Sequence, residues 1–198
     1  MIFKRKIYDE LLRWKRTDEG RTAVLIQGAR RVGKSTVAEE FATNEYDTHI
    51  LVDFAACSSE IRDLFNDVSD LNRIFMRLQL EYGIELKERK SAIIFDEVQL
   101  APKARQAIKY LVKDGRYDYI ETGSLISIRK NVKDILIPSE EVKVHMFPMD
   151  YEEFKWALGD TATIKLLQSC FHNRTSLGDA TNRKLMRDFR LYMLIGGM

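Results

Sequence analysis

The sequence predicts an α/β fold, a three-layer sandwich with helices on both faces of a mostly parallel five-stranded sheet. Three observations predict it. Strand-like and helix-like segments alternate along the 198 residues, the pattern of parallel strands joined by crossover helices. Gly28-Ala29-Arg30-Arg31-Val32-Gly33-Lys34-Ser35 spells GxxxxGK(S/T), with an apolar run before it and a helix-forming run after it. Ser91-Ala92-Ile93-Ile94-Phe95 is apolar on both strand faces and ends in Asp96-Glu97, as a central strand covered on both sides does.

Residues 8–16 form an amphipathic helix in which Tyr8, Leu11, Leu12 and Trp14 share one broad face. Packing beside the first strand explains that face more simply than contact with a base. Ala23-Val24-Leu25-Ile26 marks a strand over 22–27, and Ser35 to Phe41 opens the helix after the motif. A second strand covers 48–54, with Asp53 near its end as a weaker site candidate. Residues 60–82 read as helix in two pieces, broken near Ser69-Asp70, either of which can cap the second piece. Leu71, Ile74, Phe75, Leu78 and Tyr82 keep helical spacing there and read as core.

After the acidic strand (91–96), Pro102 opens a helix through about Lys113. The strand 117–121 runs into Thr122-Gly123-Ser124, and a polar stretch spans 127–141. Val142 to Phe147 alternates, which suits a sheet edge, and Pro148 stops it. Helices around 151–157, 161–172 and 179–194 follow. The expected organisation is a core over 1–158, including the N-terminal helix, and a helical segment over 159–198 that starts a second region.

Composition bounds the function less than the motifs do. Apolar content of 45% is that of a globular protein, and a net charge of +2 argues neither for nor against nucleic acid. Basic groups such as Lys4-Arg5-Lys6 and Lys87 to Lys90 are interleaved with acids, as on solvated helix faces. No apolar run approaches the roughly 20 residues that span a bilayer, so no membrane role is expected. Cys57 and Cys170 form no CxxC pair and read as reduced thiols of a cytoplasmic protein. His49, His145 and His172 are scattered without metal-ligand spacing.

The motif is a phosphate-binding loop. Gly28 and Gly33 lack a Cβ, so the backbone can curl and point its N–H groups inward. The helix from Lys34 aims the positive end of its dipole at the same spot. Lys34 adds a mobile charge for the β- and γ-phosphates, and Ser35 offers a hydroxyl to Mg²⁺. Arg30 and Arg31 occupy variable positions, where they either touch phosphate or a neighbouring subunit or simply stand in solvent. The expected nucleotide contacts are Gly28, Ala29, Arg30, Arg31, Val32, Gly33, Lys34, Ser35 and Thr36.

Ligands of such sheets gather at the carboxyl ends of strands. Asp96 is therefore expected beside the loop, holding Mg²⁺ together with Ser35. Glu97, one residue on, can orient a water on the γ-phosphate and accept its proton. Thr122 and Ser124 are both candidates to sense the γ-phosphate or the water. Ser124 is preferred, because Gly123 lets the chain turn it toward the site.

These residues resemble those of AAA-type P-loop ATPases, in particular a prokaryotic family with a nuclease-like C-terminal domain. The resemblance is carried by Gln27 to Ser35, by Ile94-Phe95-Asp96-Glu97-Val98-Gln99, by Thr122-Gly123-Ser124-Leu125 and by Phe147 to Phe154. The tail Tyr192 to Met198 resembles that family's junction into its second domain. The resemblance implies strand order 5-1-4-3-2, ATP as the nucleotide, and continuation into a further domain. Relatives often carry a Gly-Arg pair where this chain has Ile137-Pro138-Ser139-Glu140-Glu141, and no arginine stands there. Arg129 is the nearest replacement.

The expected activity is Mg²⁺-dependent ATP hydrolysis driving conformational change in a larger ATPase. A nucleotide switch or interaction module with negligible turnover is the alternative, motivated by the missing arginine. A small-molecule kinase, with Arg129-Lys130 and Lys133 as a lid, fits Asp96-Glu97 less well. Self-association and a DNA or protein partner stay open.

Overall fold

The computed structural model describes residues 3–124 and 139–197. Residues 7–146 form one compact unit, and residues 3–6 with 147–197 form another. In this division residues 147–158 group with the C-terminal helices.

The first unit begins with α1 (Ile7–Asp18) and β1 (Ala23–Gly28), followed by α2 (Lys34–Glu45) and β2 (Thr48–Asp53). Next come α3 (Ser59–Asp63), a 3₁₀ turn over Leu64–Asn66, and α4 (Leu71–Tyr82). Asp70 caps α4 by accepting the Arg73 amide at 3.1 Å, so the expected break in 60–82 is there. β3 (Ser91–Asp96), a 3₁₀ turn over Val98–Leu100, α5 (Pro102–Asp114), β4 (Asp118–Ser124) and β5 (Glu141–Met146) complete it.

The five strands are parallel and ordered β2-β3-β4-β1-β5. This is the expected order, with β2 and β5 at the edges. β4 extends through Ser124, three residues beyond the expected 121. Parallel pairing accounts for the extension, since Gln27 is in register with Gly123 and Gly28 with Ser124. Most of the polar stretch over 127–141, with Arg129, Lys130 and Lys133, lies outside the described residues.

Alternate residues of each central strand point to opposite faces, and both faces are covered. On one side Leu25, Ile50, Val52, Ile93, Phe95 and Tyr119 join α3, α4 and α5 in a core. Phe65 and Phe95 meet there edge to face at 5.3 Å, a favoured aromatic geometry. On the other side Val24, Ile26, Ile94 and Ile120 pack with α1 and α2. Tyr8 packs against Phe41 at 5.3 Å and hydrogen-bonds Glu45, which satisfies the packing reading of α1.

The second unit contains α6 (Tyr151–Ala157), α7 (Thr163–His172) and α8 (Asp179–Ile195). Asp150 and Glu153 form a reciprocal capping box at the start of α6. Lys155, almost fully buried, bridges Asp160 and Asp188 at 2.9 Å each. Among the described residues no helix is long and apolar enough to cross a membrane, and Cys57 and Cys170 are free thiols.

Candidate nucleotide site

The carboxyl ends of β1, β3 and β4 bring the candidate residues together within the first unit. Gly28 closes β1 tightly: a Cβ there would stand 2.3 Å from the Met146 carbonyl oxygen and 3.3 Å from Val32. Val32 is buried, whereas Ala29, Arg30 and Arg31 are exposed. Gly33 adopts φ 93°, ψ 24° as the N-cap of α2 and supplies no side-chain cap. The first turn of α2 also lacks acidic residues. Its leading N–H groups thus meet no capping side chain, the arrangement that favours an anion.

Lys34 is 5% exposed. Its Nζ donates to Ala29 O at 2.7 Å and to Gly28 O at 3.5 Å. Burial pushes its ammonium below the usual lysine range; Glu97 and Asp96 oppose that shift and Arg30 adds to it. A desolvated cation facing two carboxylates and loop carbonyls is well placed to exchange those carbonyls for phosphate oxygens.

Ser35 Oγ donates to Asp96 Oδ1 at 2.6 Å, across 61 residues of sequence. Thr122 Oγ1 donates to the same oxygen. Thr122 Oγ1 also accepts the Glu97 amide at 3.2 Å. Glu97 lies in the left-handed region at φ 52°, ψ 45°, which is uncommon for a residue with a side chain. Gln99 Nε2 donates to Glu97 Oε2.

The structure therefore joins Ser35, Asp96, Thr122, Glu97 and Gln99 in one hydrogen-bonded chain next to Lys34. Ser124 is buried at the end of β4, opposite Gly28 in register, and takes no part in the bonds that hold Asp96. Thr36 is exposed on the first turn of α2. Asp53 turns to its own loop and accepts the Ala55 amide at 2.7 Å. The contribution of Gln99 was not singled out from the sequence. Its signal is its place at the end of the Ile94-Phe95-Asp96-Glu97-Val98-Gln99 motif, between buried Val98 and exposed Leu100.

A family model described as an AAA domain matches residues 20–155. The chain belongs to that AAA domain family. The match spans every residue of the loop, the acidic pair and β4. No curated protein matches this AAA chain. Among solved structures it is similar to PCH-2 of C. elegans, at 11% identity and a TM-score of 0.45, covering 84% of this chain and 49% of that one. It is also similar to the RuvB Holliday-junction branch-migration motor of Thermotoga maritima, at 12% identity and a TM-score of 0.46, covering 82% and 52%. This AAA chain spans about half the length of those structures.

The residues present fit a magnesium nucleotide. Ser35 and Asp96 offer two hard oxygens 2.6 Å apart, the donor type Mg²⁺ prefers. The loop offers amides and one ammonium group for the phosphates.

Proposed function

We propose that this chain binds ATP with Mg²⁺ at Gly28 to Thr36 and hydrolyses it, the cycle driving conformational change in a larger cytoplasmic ATPase. The observation that carries the reading is the Ser35–Asp96 hydrogen bond. It aligns the end of β3 with the start of α2, where the loop's amides and Lys34 meet. Lys34 leaves its loop carbonyls for the β- and γ-phosphates. Bound Mg²⁺ would supply charge neutralisation to the phosphate oxygens, held by Ser35 and Asp96. Glu97 orients the attacking water and takes its proton. Positioning and charge neutralisation supply most of the acceleration in such chemistry.

Titration of the protein with a fluorescent ATP analogue, with and without Mg²⁺, followed by phosphate release, tests the reading. Expected are Mg²⁺-dependent binding, loss of binding in Lys34→Ala, and retained binding with turnover lowered roughly 100-fold or more in Glu97→Gln. Identical behaviour of wild type and Lys34→Ala would remove the site. Tight binding without turnover in the wild type would favour a nucleotide switch instead.

A further inference from the structure

We propose that Gln99 is a positioning residue for Glu97: its side-chain amide holds one carboxylate oxygen and keeps the other aimed at the loop. The inference rests on the hydrolytic reading of the site. Glu97 is held on three sides. Its amide donates to Thr122 Oγ1 at 3.2 Å. Its carbonyl oxygen accepts the Leu100 amide at 2.9 Å, closing the 3₁₀ turn. Its Oε2 accepts from Gln99 Nε2.

Gln99 is 4% exposed, so packing fixes where its amide can donate. A glutamate side chain has three rotatable bonds, and a free one would sample many directions at the mouth of the loop. The left-handed backbone at Glu97 sets the starting direction of the side chain. The Gln99 amide then fixes the far end. The bond uses Oε2, and no described residue bonds Oε1, which stays available to a water. Glu97 directly follows Asp96, which bonds Ser35 at the start of α2, so its backbone stands at the loop end of β3. A water-orienting group held at one oxygen and open at the other needs no reorganisation when the water arrives.

The test compares Gln99→Met, which keeps length without the amide, in wild-type and Glu97→Gln backgrounds. Gln99→Leu serves as the second variant if the first unfolds. Affinity for the fluorescent ATP analogue, KM and kcat are measured for each. In the wild-type background kcat is expected to fall at least tenfold, with affinity and KM within twofold. In the Glu97→Gln background the same change is expected to move kcat less than twofold, because the carboxylate it positions is gone. Unchanged kcat in the first background would overturn the inference. So would equal losses in both backgrounds, or a joint loss of affinity and thermal stability, either of which marks a structural role. Wild-type turnover separates the two failures: if it is present and Gln99→Met matches it, only this inference falls. If it is absent, the hydrolytic reading falls first and this one with it.

Discussion

Arg105 of α5 grips Glu141 of β5 with two nitrogens, Nε at 3.3 Å and Nη2 at 3.1 Å to the same oxygen. Both side chains are almost wholly out of water. A bidentate pair in such a place ties a covering helix to an edge strand. Removing Arg105 leaves the buried Glu141 facing only the longer, half-exposed Lys143 contact at 3.6 Å among the described residues. Arg105→Ala is expected to lower stability by about 3–5 kcal/mol, measured by denaturant unfolding. Arg105→Met with Glu141→Met is expected to cost much less, because burying the pair was itself expensive. Equal losses in the single and double variants would contradict this account.

Glu121 lies beside that pair and is fully buried, with neither carboxylate oxygen hydrogen-bonded among the described residues. Burial pushes its carboxyl well above the usual range. Glu141 adds to the shift, and Arg105 and Lys143 oppose it. The folded protein therefore holds a proton that the unfolded chain releases near 4.5. That contribution to stability is complete below the unfolded value and is lost as pH rises through the folded one. Wild-type stability should decline more steeply above pH 5 than that of Glu121→Gln. Parallel stability–pH curves for the two proteins would refute it.

Thr122 has two roles at once: it donates to Asp96 and accepts from the Glu97 amide. Thr122→Val keeps its shape and removes both bonds. On the proposed magnesium role of Asp96, turnover should fall roughly 10–100-fold. ATP affinity should change far less. Ser124→Ala, measured in the same phosphate-release assay, ranks the two hydroxyls of β4 directly.

Gly28 cannot accept a methyl group where it stands, because the Met146 carbonyl is only 2.3 Å from the Cβ position. That neighbour is backbone, so a strand must move. Gly28→Ala should destabilise the protein by roughly 1–3 kcal/mol and weaken ATP binding with it. Denaturant midpoints and the fluorescence titration check both effects.

The loop, α2 and β3 were legible in the sequence because each is specified within a few residues. The glycine spacing, Lys34-Ser35 and the apolar run ending in Asp96-Glu97 are local features. The strand order followed from the family resemblance. What was not legible depends on pairing and turn geometry. Gly123 suggests a turn on propensity alone, yet register with Gln27 draws it into β4. Thr122 thereby becomes the partner of Asp96, while Ser124, preferred from the sequence, sits at the carboxyl end of β4 in register with Gly28 of the loop. Gln99 reaches Glu97 across a turn in which Glu97 adopts a left-handed backbone, which its residue type does not announce. The burial of Glu121 was equally silent, since its neighbours Arg105 and Glu141 come from distant segments.

The same carbonyl that excludes a methyl group at Gly28 also excludes slack. Among the described residues β5 is an edge strand, paired with β1 alone. Its last residue, Met146, is the register partner of Gly28, where the loop begins. The first residue of the loop and the rim of the sheet are thus direct neighbours, with no residue between them to absorb a change in either.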